Sequence, residues 1–108
     1  MATIEIDGAR IKHWSSFHLQ CTQAFGFPAT YANTMDAWVD CLSYLRDAEN
    51  MTQFELKPNE QLAIIVLNSA LMREQAPDIL EEMAFCIGGI NERYEDYGEK
   101  PALELVLR

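Results

Sequence analysis

Polar and apolar residues alternate over Thr3-Ile4-Glu5-Ile6 and then meet the turn signal Asp7-Gly8, which predicts a short strand. Trp14, Phe17, Cys21, Ala24 and Phe25 recur at helical spacing, so a helix capped by Ser15 or Ser16 should run to about Phe25 with that face buried. Gly26 suits the left-handed position just past its end, and Phe27-Pro28 begins a loop. The clearest two-faced segment starts near Asn33 or Thr34 and is expected to reach about Asp47. Met35, Trp38, Val39, Leu42 and Leu45 share one side of it, and Asp36, Asp40, Ser43 and Asp47 nearly the other. A polar loop from Asp47 to Met51 follows, and Thr52 to Leu56 alternates weakly, enough for a short strand at most. After a turn at Lys57-Pro58-Asn59-Glu60, the run Leu62 to Leu67 reads as a strand buried on both faces. Asn68 to Glu74 suggests a helical turn or two. Pro77 fits the first turn of a long helix, with Asp78, Glu81 and Glu82 near its positive end and Ile79, Met83, Ile87, Ile90 and Tyr94 on its apolar side. Gly88-Gly89 weakens the middle of this helix and marks a place for a bend or close packing. Gly98 and Pro101 end it, and Leu103 to Leu107 is a last strand.

Helical crossovers of this length join parallel strands, so the expected fold is α/β: one domain over residues 1–108, with a small parallel sheet of about three strands packed with helices. An apolar fraction of 49% can fill such a core without metal or disulfide support. Cys21, Cys41 and Cys86 are odd in number and lack CxxC spacing, so they read as buried thiols in a reducing compartment. With no signal-peptide pattern and no apolar run near the ~20 residues a bilayer demands, the expectation is a cytoplasmic protein without a membrane partner. Acidic residues outnumber Lys and Arg by 17 to 8, which disfavours direct nucleic-acid binding and favours approach by a basic protein. Excess acid also serves simply to keep a protein soluble.

No phosphate loop, dinucleotide fingerprint, HExxH, EF-hand or GxSxG pattern occurs. His18 borders an apolar stripe and reads as a packed histidine, not a base, and a Cys41–His18 nucleophile pair would need the fold to bring the two together. No catalytic residue, metal ligand or cofactor is therefore expected. Asp36 and Asp40 stand one helical turn apart and repel each other, and only Asp36 lies in the first turn, where the helix dipole favours acid. Three readings remain open: a solvated acidic face, a divalent-cation site lacking the several oxygen ligands such ions require, and a protein-binding surface. Tyr31 adds the amphipathic aromatic that interfaces favour.

Ile6-Asp7-Gly8, Ile11, Ser15, Phe17-His18, Phe27-Pro28, Tyr31, Asp36-Ala37 and Asp40-Cys41-Leu42 together resemble the N-terminal half of the barstar family, without a gap from about Ile4 to Leu45. The segment from about Arg46 to Glu74 does not align clearly and is longer, and the last helix and strand align again. The resemblance implies an intracellular inhibitor, of the immunity or antitoxin kind, of a basic ribonuclease or nuclease toxin, with no enzymatic activity and a monomeric free state. It implies that Asp40 enters the nuclease's phosphate pocket, that Asp36 meets the enzyme one turn earlier, and that Tyr31 covers the active site. Thr34, Trp38 and Ser43 belong to the same contact surface, and Glu95 supplies a second acidic contact. Around this acidic centre Thr30 stands where the family has a second loop tyrosine, Ala32 replaces a glycine, Thr34 an asparagine, and Val39 and Leu45 tryptophans, with Trp38 adjacent to the first of these. That implies an altered target, or alternatively an adaptor that uses the same surface on a partner other than a nuclease.

Overall fold

The computed structural model describes residues 2–47 and 50–108; Ala48 and Glu49 of the expected polar loop lie outside the described residues. Strands β1 (Ala2–Asp7), β2 (Leu62–Leu67) and β3 (Leu103–Leu107) form a parallel sheet in the order β1-β2-β3. Its register pairs Ile4 with Ile64 and Ile64 with Leu105. Helices α1 (Trp14–Phe25) and α2 (Met35–Leu42) cross from β1 to β2, and α3 (Ser69–Gln75) and α4 (Pro77–Asp96) cross from β2 to β3. The α/β class with three parallel strands is as the pattern predicts.

Ile4, Ile6, Leu62, Ile64, Val66 and Leu103 join one core with residues of all four helices, among them Phe17, Trp38, Met72 and Ile90. Ala63 and Ile65 are also buried but lie outside that core. Successive strand residues point to opposite faces, so these two belong to the far side of the sheet, flanked there by exposed Thr3, Glu5 and Glu104. The helices thus cover one face, while β2, the central strand, is buried on both faces as its continuous apolar run predicts.

Several local expectations change. The N-cap of α1 is His13, and Ser16 serves from inside the helix, its Oγ accepting the N–H groups of Lys12 and His13 at 3.2 Å each. Trp14 lies at the rim of the helical stripe and stays 37% exposed. Gly26 takes the left-handed conformation at the end of α1 as expected (φ 70°). No strand forms at Thr52 to Leu56, because its donors are used elsewhere. The N–H of Gln53 bonds the Phe25 carbonyl, that of Leu56 bonds the Leu45 carbonyl, and the Thr52 hydroxyl ties the turn from Asn50 to Phe54. The turn or two expected after Asn68 is a full short helix, α3.

Gly88 and Gly89 bring no close packing: α4 runs on through them, both glycines are exposed, and a Cβ built on either meets nothing within 4 Å. Each costs backbone entropy with no internal contact to offset it. Gly89→Ala should therefore raise the free energy of unfolding by about 0.5–1 kcal/mol, and Gly88→Ala by a similar amount, measured by urea denaturation. Trp38→Ala, which empties the largest fully buried site, should lower it by about 3–5 kcal/mol.

Candidate functional site

Helix α2 is only eight residues long, so its position depends on its ends and its buried face. At the start, the Thr34 hydroxyl accepts the N–H of Ala37 at 3.1 Å, a side-chain cap worth about 1 kcal/mol. Inside, Trp38 lies against the rings of Phe17 and Phe25, with centroids 6.1 and 6.3 Å away, and Leu42 and Cys41 are buried beside it. The helix stops at Leu42, short of the expected Asp47. The Leu45 N–H, which a continuing helix would give to residue 41, instead donates to the Tyr94 hydroxyl of α4 at 3.0 Å. The Ser43 hydroxyl donates to the Val39 carbonyl at 2.6 Å and accepts from Arg93 of α4 at 3.2 Å.

Arg46 fastens the following turn. Its guanidinium donates to the carbonyls of Lys100 at 2.7 Å and Glu60 at 2.9 Å, pairs with Glu99 at 3.3 Å and lies over the Tyr94 ring at 5.0 Å. Beside it, an open cleft of about 620 Å³ separates the end of α2 from the end of α4, with Tyr44, Asp47, Arg93 and Tyr97 on its walls.

The expected contact residues fall into three groups. Asp36 and Asp40 project into solvent from one side of α2, and among the described residues neither carboxylate has a hydrogen-bond or ion-pair partner; the only ion pair there is Arg46–Glu99. Thr34, Ser43 and Tyr31 border this side with their polar groups already engaged. The Tyr31 hydroxyl bonds His18 Nδ1 of α1 at 2.7 Å, its ring packs on Phe27 at 4.5 Å, and burial pushes its phenol pKa well up. Trp38 and Glu95 do not join this surface. Trp38 has no exposed area, because the helical period turns it to the core. Glu95 follows Asn91 by one turn, on the flank of α4 whose Asn91 bonds the backbone of Ala102 and Leu103. The flank that meets α2 carries Arg93.

In place of Glu95, the fold brings Glu82 to the acidic side. Its carboxylate lies 3.6 Å from Cys86 Sγ, and burial, Glu82 and Asp36 together push that thiol up to about 11. The end of α2 meets Arg93 and Tyr94 near the end of α4, while the field of Asp36, at its start, is felt by Cys86 earlier on α4, so the two helices run the same way. A stripe of Glu82, Cys86 and Arg93 is visible in the sequence, but only tertiary packing shows that this flank, through Arg93, meets the end of α2. Cys21 and Cys41 are buried free thiols; burial pushes Cys21 up to about 12 and raises Cys41, so neither is an activated nucleophile. His18 is occupied by Tyr31, and among the described residues no three His, Cys, Asp or Glu side chains are placed to hold a metal ion.

The family model described as Barstar (barnase inhibitor) matches residues 1–106. The chain belongs to the barstar family. No individually curated protein matches it. The family assignment fits the parallel sheet of three strands and the four α-helices of the described residues, and it supports a barnase-inhibitor-like protein without naming its target. No described helix is long and apolar enough to cross a membrane.

The burial of His18 has a pH signature. Burial lowers the His18 pKa below 6.5, so protons bind the unfolded chain more tightly than the native one. Its contribution to stability is full above pH 6.5 and is lost as pH falls through the depressed native value. Urea unfolding between pH 8 and pH 5 should show this loss, and His18→Gln should flatten that part of the profile.

Proposed function

We propose that this barstar-family chain inhibits a basic ribonuclease by covering its active site with the outer side of α2, Asp40 standing in for an RNA phosphate and Asp36 supporting it. The observation that carries this reading is the pair of exposed carboxylates, unpartnered among the described residues, on a helix capped and packed into one position. A carboxylate already neutralised within its own chain could not meet a cationic pocket. Tyr31, Thr34 and Ser43 form the near border, where the first is fixed by His18 and the last by Arg93. The protein then acts in the cytoplasm, without cofactor or chemistry of its own, and the free inhibitor is a monomer. Electrostatic attraction sets its approach and register, a behaviour for which barstar with its own nuclease is the measured example.

Around the acids, the two tryptophans implied for the family are replaced by Val39, which is half-buried, and Leu45, which is fully buried. The ribonuclease it meets therefore differs from barnase in its outer contacts, and barnase itself is held less tightly. That altered rim also supports a second reading, an adaptor that presents the same surface to a partner other than a nuclease.

Barnase is a direct probe. Asp40→Ala should weaken binding by at least about tenfold, since a charge-assisted contact is lost, whereas Glu104→Ala on the far face of the sheet should leave it unchanged. Raising salt from roughly 50 to 500 mM should slow association measured by stopped flow. Equal effects from the two substitutions would refute the surface assignment. An absence of binding or ribonuclease inhibition by the unmodified protein at tens of micromolar would refute the reading itself.

A further inference from the structure

Phe85 is 76% exposed, on the solvent side of α4. It follows Glu82 by three residues and precedes Gly88 and Gly89 by three and four, so all four lie on neighbouring positions of the helix surface. Glu81 and Glu92, both exposed, stand one turn before and two turns after it. Glu82 lies beside Cys86, on the flank of α4 whose Arg93 bonds Ser43 at the end of α2. Exposed carboxylates thus lie on α2 and on the flank of α4 that meets it, and beside Glu82 stands a bare aromatic ring next to a shallow notch where two side chains are missing.

Charge decides what covers it. A second copy of the chain would set these glutamates against its own, in a protein with a formal charge of -9. A basic protein meets them with attraction. Resting on the reading above, we propose that the Phe85–Gly89 face of α4 is a second docking site for the same basic ribonuclease. An apolar side chain of the enzyme packs on Phe85 and into the notch, and its lysines or arginines meet Glu81, Glu82 and Glu92. This contact takes the place of the tryptophans absent from α2, and any basic ribonuclease seated on Asp40, barnase included, meets it. It also accounts for two helix-weakening glycines that nothing inside the chain requires.

The test measures barnase binding by calorimetry, melting temperature and sedimentation for Phe85→Ala, Gly89→Ala, Asp40→Ala and the unmodified chain. Phe85→Ala should weaken binding at least about fivefold with melting unchanged. Gly89→Ala should weaken it similarly while raising the melting temperature by about 2–5 °C, because the added methyl strengthens the helix and fills the notch. That opposite movement of stability and affinity is not produced by damage to the fold. Loss of binding in Asp40→Ala alone, with the two α4 variants binding as the unmodified chain does, overturns this inference and leaves the α2 reading standing. Failure of the unmodified chain to bind overturns both. Concentration-dependent dimers abolished by Phe85→Ala, with barnase affinity unchanged, would assign the face to a second copy and also overturn it.

Discussion

The placement of the candidate site follows from one constraint, the common hand of the two crossovers. With strands in the order β1-β2-β3, two connections of the same hand put all their helices on the same face of the sheet, and a twisted parallel sheet favours the right hand for both. Helices α2 and α4 each run back over that face between parallel strands, so they become parallel neighbours. Had either crossover passed over the other face, Asp36 and Glu82 would be separated by the sheet. The same arrangement leaves the far side, with Glu5 and Glu104, remote from the acidic surface although it carries the same charge.

Within that frame, packing chooses which side of α2 is presented. Trp38 fills the space between Phe17 and Phe25 and can reach it from only one rotation of the helix. At 100° per residue that rotation turns Asp36 and Asp40 outward. The core aromatic and the surface acids are therefore one decision, which is why a buried residue that touches no partner still governs the presented surface.

Local pattern carried much of this. Strict alternation located β1, a continuous apolar run located β2, and the 3.6-residue period located three helices and the outward side of α2. Where the pattern failed, a partner distant in sequence had intervened. The end of α2 is set by Tyr94, 49 residues away, and the loop at Thr52 to Leu56 by carbonyls of Phe25 and Leu45. Period alone already placed Trp38 inside; only the family's tryptophan at the neighbouring position suggested a contact role. Glu95 and Glu82 are equally acidic members of one helix, and nothing local tells which flank meets α2. Side-chain hydrogen bonds on opposite flanks, Arg93 to Ser43 and Asn91 to Leu103, make that distinction.

The acidic side of α2 is costly to maintain. Two carboxylates one turn apart repel, and a helix of eight residues has little cooperative stability of its own. Nearby cations could relieve the strain, yet they are directed elsewhere. Arg46, just past the end of the helix, is spent on the carbonyls of Glu60, Lys100 and Pro101 and on Glu99, and Arg93 gives a donor to the Ser43 hydroxyl. These arginines stabilise the position of α2 without neutralising its charge. Backbone carbonyls and a hydroxyl accept the hydrogen bonds, so the helix gains rigidity and the aspartates keep their field. A rigid, uncompensated acidic side loses little entropy when a cationic pocket closes on it, and it has no internal pair to break first. Moving either arginine one turn closer would favour the isolated fold and quench the charge a partner needs. The separation of the cations that hold this helix from the anions it displays is therefore what a binding surface requires and what stability alone would not select.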